Sequence, residues 1–164
     1  TAIESYSRLS GFQINERESE CGHFQRCLVV MLLVGGDVHI TLKIFFNPVP
    51  WSVLLSKIYT EELSDVKSEE LVNDAFKEIS NLTLGHLKRV FDKQNIEAEL
   101  SLPVVMRGYD DIFANENRYP YFLRCGWNVE FNDLSFVCNC VIQVKDPQFK
   151  VEDIEPVDAE IEFF

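Results

Sequence analysis

Basic residues are scarce in this chain of 164: 15 Lys+Arg stand against 27 Asp+Glu, a formal net charge of −12. Phosphate contacts need clustered cations, so this balance disfavours nucleic acid as a partner. It also disfavours anionic membrane surfaces. Histidine is rarer still: His23, His39 and His86 are scattered, and no two have metal-ligand spacing on one helix. Long hydrophobic runs are missing, since the longest, residues 27–34, is far too short to span a bilayer. No basic segment followed by an apolar one opens the sequence, so no signal peptide is expected. Thr1 in place of an initiator Met points to residues upstream. Nor is there a Walker loop, GxGxxG, HExxH or GxSxG. Internal repeats, low-complexity segments and interdomain linkers are absent as well.

What is present suits a single globular domain. Hydrophobic residues make up 46% and charged residues 26% of the chain, enough apolar surface to fold around a core. The five cysteines are odd in number and sit mostly inside apolar strand patterns, which favours reduced core thiols in a cytoplasmic protein over a disulfide framework. Cys138-Asn139-Cys140 puts two thiols on one strand face with Phe136 and Ile142. A zinc site would need two further matching ligands, so these are read as core residues.

Residues 1–22 are polar and weakly patterned, a lead-in to a domain over 23–145; residues 146–164 form an acidic C-terminal segment. Residues 24–34 are apolar on both faces, as a central strand would be, and Gly35-Gly36 is a two-residue hairpin signal. In the return strand Val38, Ile40, Leu42, Ile44 and Phe46 alternate with His39, Thr41 and Lys43, a period that marks one buried face. Asn47-Pro48 opens a helix that Trp51, Leu54, Leu55 and Ile58 continue. After an acidic stretch, Ser68 with Glu69 and Glu70 behind it reads as the N-cap and first turn of a longer helix. Leu71, Ala75, Ile79 and Leu82 give that helix its buried stripe. Past Asn95 the period returns to two: a strand over 97–106, a loop over 108–117, then a hairpin turning at Asn132-Asp133. The order ββααβββ predicts an α+β domain, a mostly antiparallel sheet with two main helices packed on it.

The long helix carries the only candidate chemistry. Glu78 and Asn81 are three residues apart and project from one side, with Asp74 one turn before and Gly85 one turn after. The predicted stripe turns Glu78 and Asn81 toward solvent. Glu-x-x-Asn alone describes many solvated helix faces. Gly85 costs about 1 kcal/mol of helix propensity relative to Ala, and suits either helix–sheet packing or close approach of a partner's backbone. Asp74 suits a local pair with Lys77.

The surrounding elements narrow this choice. Asp74-x-x-x-Glu78-x-x-Asn81-x-x-x-Gly85 resembles the signature of the CheX/CheC/FliY chemotaxis phosphatases. Leu100-Ser101-Leu102-Pro103-Val104-Val105-Met106-Arg107-Gly108 is similar to the strand that follows the signature helix in that family. The Gly36-Asp37 hairpin and the helix from Pro48 also stand where the family has them, so the resemblance spans roughly residues 24–145. It implies a CheX-like domain that hydrolyses the aspartyl phosphate of a CheY-type response regulator. By motif position, Asn81 would orient the attacking water and Glu78 would bind the regulator's lysine. Asp74, Lys77, Gly85 and Lys88 would line the partner-binding surface. No cofactor or metal is implied for this chain, because Mg2+ sits on the regulator. A single copy of the motif resembles CheX rather than CheC, and CheX implies a homodimer paired through sheet edges. FliY and FliM contain related domains in the flagellar switch, so a non-catalytic CheX-fold interaction module is the alternative. A structural or ligand-binding domain of the same fold is a further one.

Charge gives a separate indication. Residues 76–94 hold Lys77, Lys88, Arg89 and Lys93 against Glu78 and Asp92, a locally basic segment in an acidic chain. Such a segment suits a carboxylate-rich regulator, and equally suits cations stabilising a helix C-terminus.

Overall fold

The alternation around residue 40 does form a sheet. A computed structural model of the chain describes residues 13–17, 26–59, 65–107 and 119–151. Its strands are β1 (Gln13–Arg17), β2 (Cys27–Gly35), β3 (Val38–Phe46), β4 (Ala98–Leu100), β5 (Val104–Arg107), β6 (Tyr121–Phe131) and β7 (Leu134–Val144). Between β3 and β4 lie the helices α1 (Pro48–Tyr59) and α2 (Asp65–Lys93). All pairings are antiparallel, in the order β1-β6-β7-β3-β2-β4, with β5 also paired to β2. The α+β architecture is the one the sequence predicts, with β1 added at the edge beside β6.

The turn between β2 and β3 falls on Gly36 and Asp37, one residue later than the glycine pair suggests. Gly35 stays in the strand, paired with Ala98, where a Cβ would collide with the Glu97 carbonyl oxygen. Asn132 turns the second hairpin with φ 51°, the left-handed region that Asn tolerates. The helix starts and stops have local causes too. Asn47 Oδ1 accepts the Val49 N–H at 3.3 Å, capping α1 with Pro48 in its first position. α2 is closed two residues past its end by Asn95 (φ 56°): Ile96 N donates to Phe91 O at 2.9 Å and Asn95 N to Asp92 O at 3.2 Å, a Schellman closure.

The core lies between the helices and one face of the sheet. Val29, Met31, Leu33, Ile40, Ile44 and Phe46 are all buried there. Phe76 of α2 stacks on Phe46 with centroids 4.0 Å apart, and meets Trp51 and Phe136 edge-on at 5.5 and 5.2 Å. This aromatic cluster ties both helices to β3 and β7. The reverse face of β3 departs from the expected pattern. His39, Thr41 and Lys43, which alternation assigns to solvent, are only 5%, 6% and 8% exposed. Both faces of β3 are therefore covered.

The strand expected over 97–106 is interrupted. Leu33 pairs with Leu100 and Val30 with Val104, so three residues, Ser101, Leu102 and Pro103, oppose two on β2. Ser101 repairs the ladder at this bulge: its N–H donates to Leu32 O, and its Oγ accepts the Leu32 N–H, both at 2.9 Å. Pro103 has no N–H to lose, so the break leaves no donor stranded there. The predicted loop over 108–117 and the C-terminal residues 152–164 lie outside the described residues, as does Cys21.

Candidate functional site

The chain places its candidate site on α2, a helix of 29 residues starting at Asp65. Ser68 therefore sits inside the first turn rather than capping it. The buried stripe also differs from the predicted one. Val72, Ala75, Phe76, Ile79, Ser80, Leu84 and Phe91 are buried, whereas Leu71 and Leu82 are half-buried. The stripe follows the aromatic cluster: Phe76, not Leu71 or Leu82, supplies the large side chain that fits between Phe46 and Phe136.

Asp74, Glu78, Asn81 and Gly85 fall on the side away from Val72 and Phe76, within about 60° around the axis at about 100° per residue. Glu78 and Asn81 are half-buried rather than fully turned to solvent. They touch: Asn81 Nδ2 donates to Glu78 Oε2 at 3.3 Å. This contact holds the carboxamide and the carboxylate side by side. It leaves Asn81 Oδ1 and the second Glu78 oxygen available to a third group.

Gly85 resolves a choice the sequence left open. A Cβ at this position would meet nothing within 4 Å, so no contact inside the described chain requires a glycine. The helix accepts its propensity deficit without any packing return, and the surface beside Asn81 is left low and open.

Of the other partner-binding candidates, Asp74 and Lys77 pair with each other at 2.9 Å. Lys88 pairs with Asp92 at 2.7 Å. These are exposed intrahelical pairs worth a few tenths of a kcal/mol, and a partner exchanges them easily. Asp92 four residues after Lys88 was the signal in the sequence that this lysine is locally neutralised. Across the fold, Arg107 at the end of β5 bonds Glu69 of α2 at 2.9 Å, tying the bulged edge to the first turns of the helix.

Among the described residues no group of three His, Cys, Asp or Glu side chains is placed to hold a metal ion. His39 is buried in β3, His86 is exposed on α2, and His23 lies outside the described residues. Cys27, Cys125, Cys138 and Cys140 are free thiols. Burial pushes Cys138 and Cys140 up to about 12, each helped by a neighbouring thiol. Unreactive neutral thiols in apolar surroundings match their reading as core residues. No described helix is long and apolar enough to cross a membrane.

No family model matches the sequence, and no curated protein does. Solved structures match the fold. CheX from Vibrio vulnificus superposes with a TM-score of 0.62 at 13% identity, over 87% of this chain and 91% of that one. A chain of the CheX-CheY-BeF3-Mg2+ complex from Borrelia burgdorferi gives 0.64 at 16% identity, over 87% and 93%. A CheC-like superfamily protein from Shewanella sp. PV-4 gives 0.63 at 14% identity, over 87% and 90%. The domain therefore has a CheX-like α+β fold, in which α2 is a long helix laid on an antiparallel sheet.

Proposed function

We propose that this chain is a cytoplasmic phosphatase that docks on a CheY-type response regulator and hydrolyses its aspartyl phosphate. One observation carries the reading: Glu78 and Asn81 stand hydrogen-bonded side by side on α2, with open space over Gly85 one turn further on. In-line displacement at phosphorus depends on positioning and charge, not on a nucleophile supplied by the enzyme. Asn81 uses its N–H on Glu78, which turns its carbonyl oxygen to accept a hydrogen bond from the attacking water and aim the water's lone pair at phosphorus. The water oxygen bonds to phosphorus as the bond to the aspartyl oxygen breaks. The products are inorganic phosphate, which takes the water protons, and a free aspartate. Glu78 keeps one oxygen on Asn81 and offers the other to the regulator's lysine, a charge-assisted contact. The phosphoaspartate and its Mg2+ belong to the regulator. The fold supports the reading, since a solved structure of similar fold is a CheX-CheY-BeF3-Mg2+ complex.

The test is release of phosphate from a regulator phosphorylated with acetyl phosphate, comparing wild type with Asn81→Ala and Glu78→Ala. Each variant is expected to lose most turnover and keep its fold, because both side chains lie on a partly open helix face. Equal rates for wild type and Asn81→Ala would eliminate the water-orienting role. A wild type that binds the regulator without turning it over would select the non-catalytic interaction module.

The same reading makes the protein a homodimer joined through sheet edges. Support comes from β6, which pairs with β1 only over residues 126–130. Over residues 121–125 its outer edge has no strand beside it among the described residues, and Tyr121, Phe122 and Leu123 are 46%, 59% and 59% exposed. A sizing series over protein concentration checks this, and a strictly monomeric result would count against it.

A further inference from the structure

From Lys77 onward the cations of α2 are of two kinds. Lys77 and Lys88 are each neutralised within the helix by Asp74 and Asp92. Arg89 and Lys93 are exposed and enter no ion pair among the described residues. Their place follows from a turn in the helix's buried side. That side runs through Val72 and Phe76 in the first half and through Leu84 and Phe91 in the second. The exposed side turns with it and brings Arg89 and Lys93 onto the flank of the helix beyond Gly85. Arg89 lies about 6 Å along the axis from Gly85 and about 40° round it, and Lys93 the same step further. The open ground over Gly85 thus leads toward two positive charges that have no ion-pair partner among the described residues.

The rest of the molecule makes these two charges consequential. With a net charge of −12, the chain as a whole repels an acidic partner. A carboxylate-bearing face approaching α2 from the Gly85 side meets the opposite sign.

We propose that Arg89 and Lys93 form a docking strip that selects an acidic partner face, one with at least two surface carboxylates beside its phosphorylated aspartate. The strip binds the partner protein and does not touch the phosphoryl group. This rests on the phosphatase reading only for what occupies the Asn81 end. Lys77 and Lys88 contribute less to selection, because each already has a carboxylate of its own.

The test uses the double variant Arg89→Glu with Lys93→Glu. Dephosphorylation of an acetyl-phosphate-labelled CheY-type receiver is measured at salt from about 20 mM to about 500 mM. Binding of the same receiver, activated with beryllofluoride, is measured in parallel. At low salt KM and Kd are expected to rise about tenfold with kcat unchanged, the difference shrinking below about twofold at high salt. A loss of thermal stability with KM and Kd unmoved would assign the cations to the helix dipole and overturn the strip. A fall in kcat with KM unmoved would overturn it too. If wild type binds without turnover and the variant loses that binding, the strip stands and the phosphatase reading falls. If both turn over alike, the phosphatase reading stands and the strip falls. A wild type that neither binds nor turns over the receiver removes both.

Discussion

Replacing Gly85 with alanine separates what the chain needs from what its partner needs. Gly85 lies inside a 29-residue helix, and the added methyl meets no atom within 4 Å. Nothing in the described chain opposes the change, so the gain in helix propensity and the loss of unfolded-state freedom are expected to appear in full, about 0.5–1 kcal/mol. For a chain of this length that raises Tm by about 1–4 °C. At the surface the same methyl occupies the space a partner's backbone would use. Carbon atoms approach to about 3.5–4 Å, so the regulator would be held back by a substantial fraction of an ångström. A misplacement of about 1 Å in an in-line reaction costs up to about a hundredfold. The expected outcome is a more stable protein with kcat/KM for the phosphorylated regulator at least about tenfold lower. Thermal melting by circular dichroism and steady-state phosphate release read the two arms. A higher Tm with undiminished kcat/KM would show that nothing docks over Gly85. A lower Tm would show that the glycine serves the fold after all.

Two further expectations concern the scaffold. Ser101→Ala removes the acceptor of the Leu32 N–H at the bulge, and a loss of about 1 kcal/mol is expected. A urea titration should show a lower midpoint with an unchanged slope, and an unmoved midpoint would mean that water replaces the hydroxyl. Cys138 and Cys140 have their pKa raised from 9.0 to about 12 by burial. Unfolded thiols therefore ionise first, and stability that is complete below about pH 9 falls between about pH 9 and pH 12. The decline is at most about 1.4 kcal/mol per pH unit for each thiol. The urea midpoint should fall less steeply across that window in Cys138→Ala, and identical slopes would contradict the assignment.

Much of this architecture was legible because its signals are local. Asn47-Pro48 before Trp51 marks a capped helix start, and Asn132-Asp133 between two alternating runs marks a hairpin. What the local pattern does not show is decided by tertiary packing. Leu71 and Leu82 match the helical period as well as Phe76 does, and only the gap between Phe46 and Phe136 decides which side of α2 turns inward. Alternation places His39, Thr41 and Lys43 on one face, but period says which residues share a face and not whether that face meets water. β1 carries a single large apolar residue, Ile14, in five, too little for a strand signal; its pairing with β6 comes from residues more than a hundred positions away. At the candidate site the spacing of Glu78 and Asn81 was readable. Their hydrogen bond and the open space over Gly85 were not, since both depend on which way the helix is rolled on the sheet.

The aromatic cluster has an optical consequence. Trp51 is buried with its ring edge-on to Phe76, and its indole N–H donates to the Ser135 carbonyl at 3.4 Å. Phe76 is two residues from Glu78 on the same helix. Any shift of α2 against the sheet on engaging a partner therefore changes the surroundings of a native indole. The second tryptophan, Trp127, lies on β6, partly buried against the same core. Replacing Trp127 with phenylalanine would leave Trp51 as the single indole, reporting on the seat of the helices against the sheet without an attached dye.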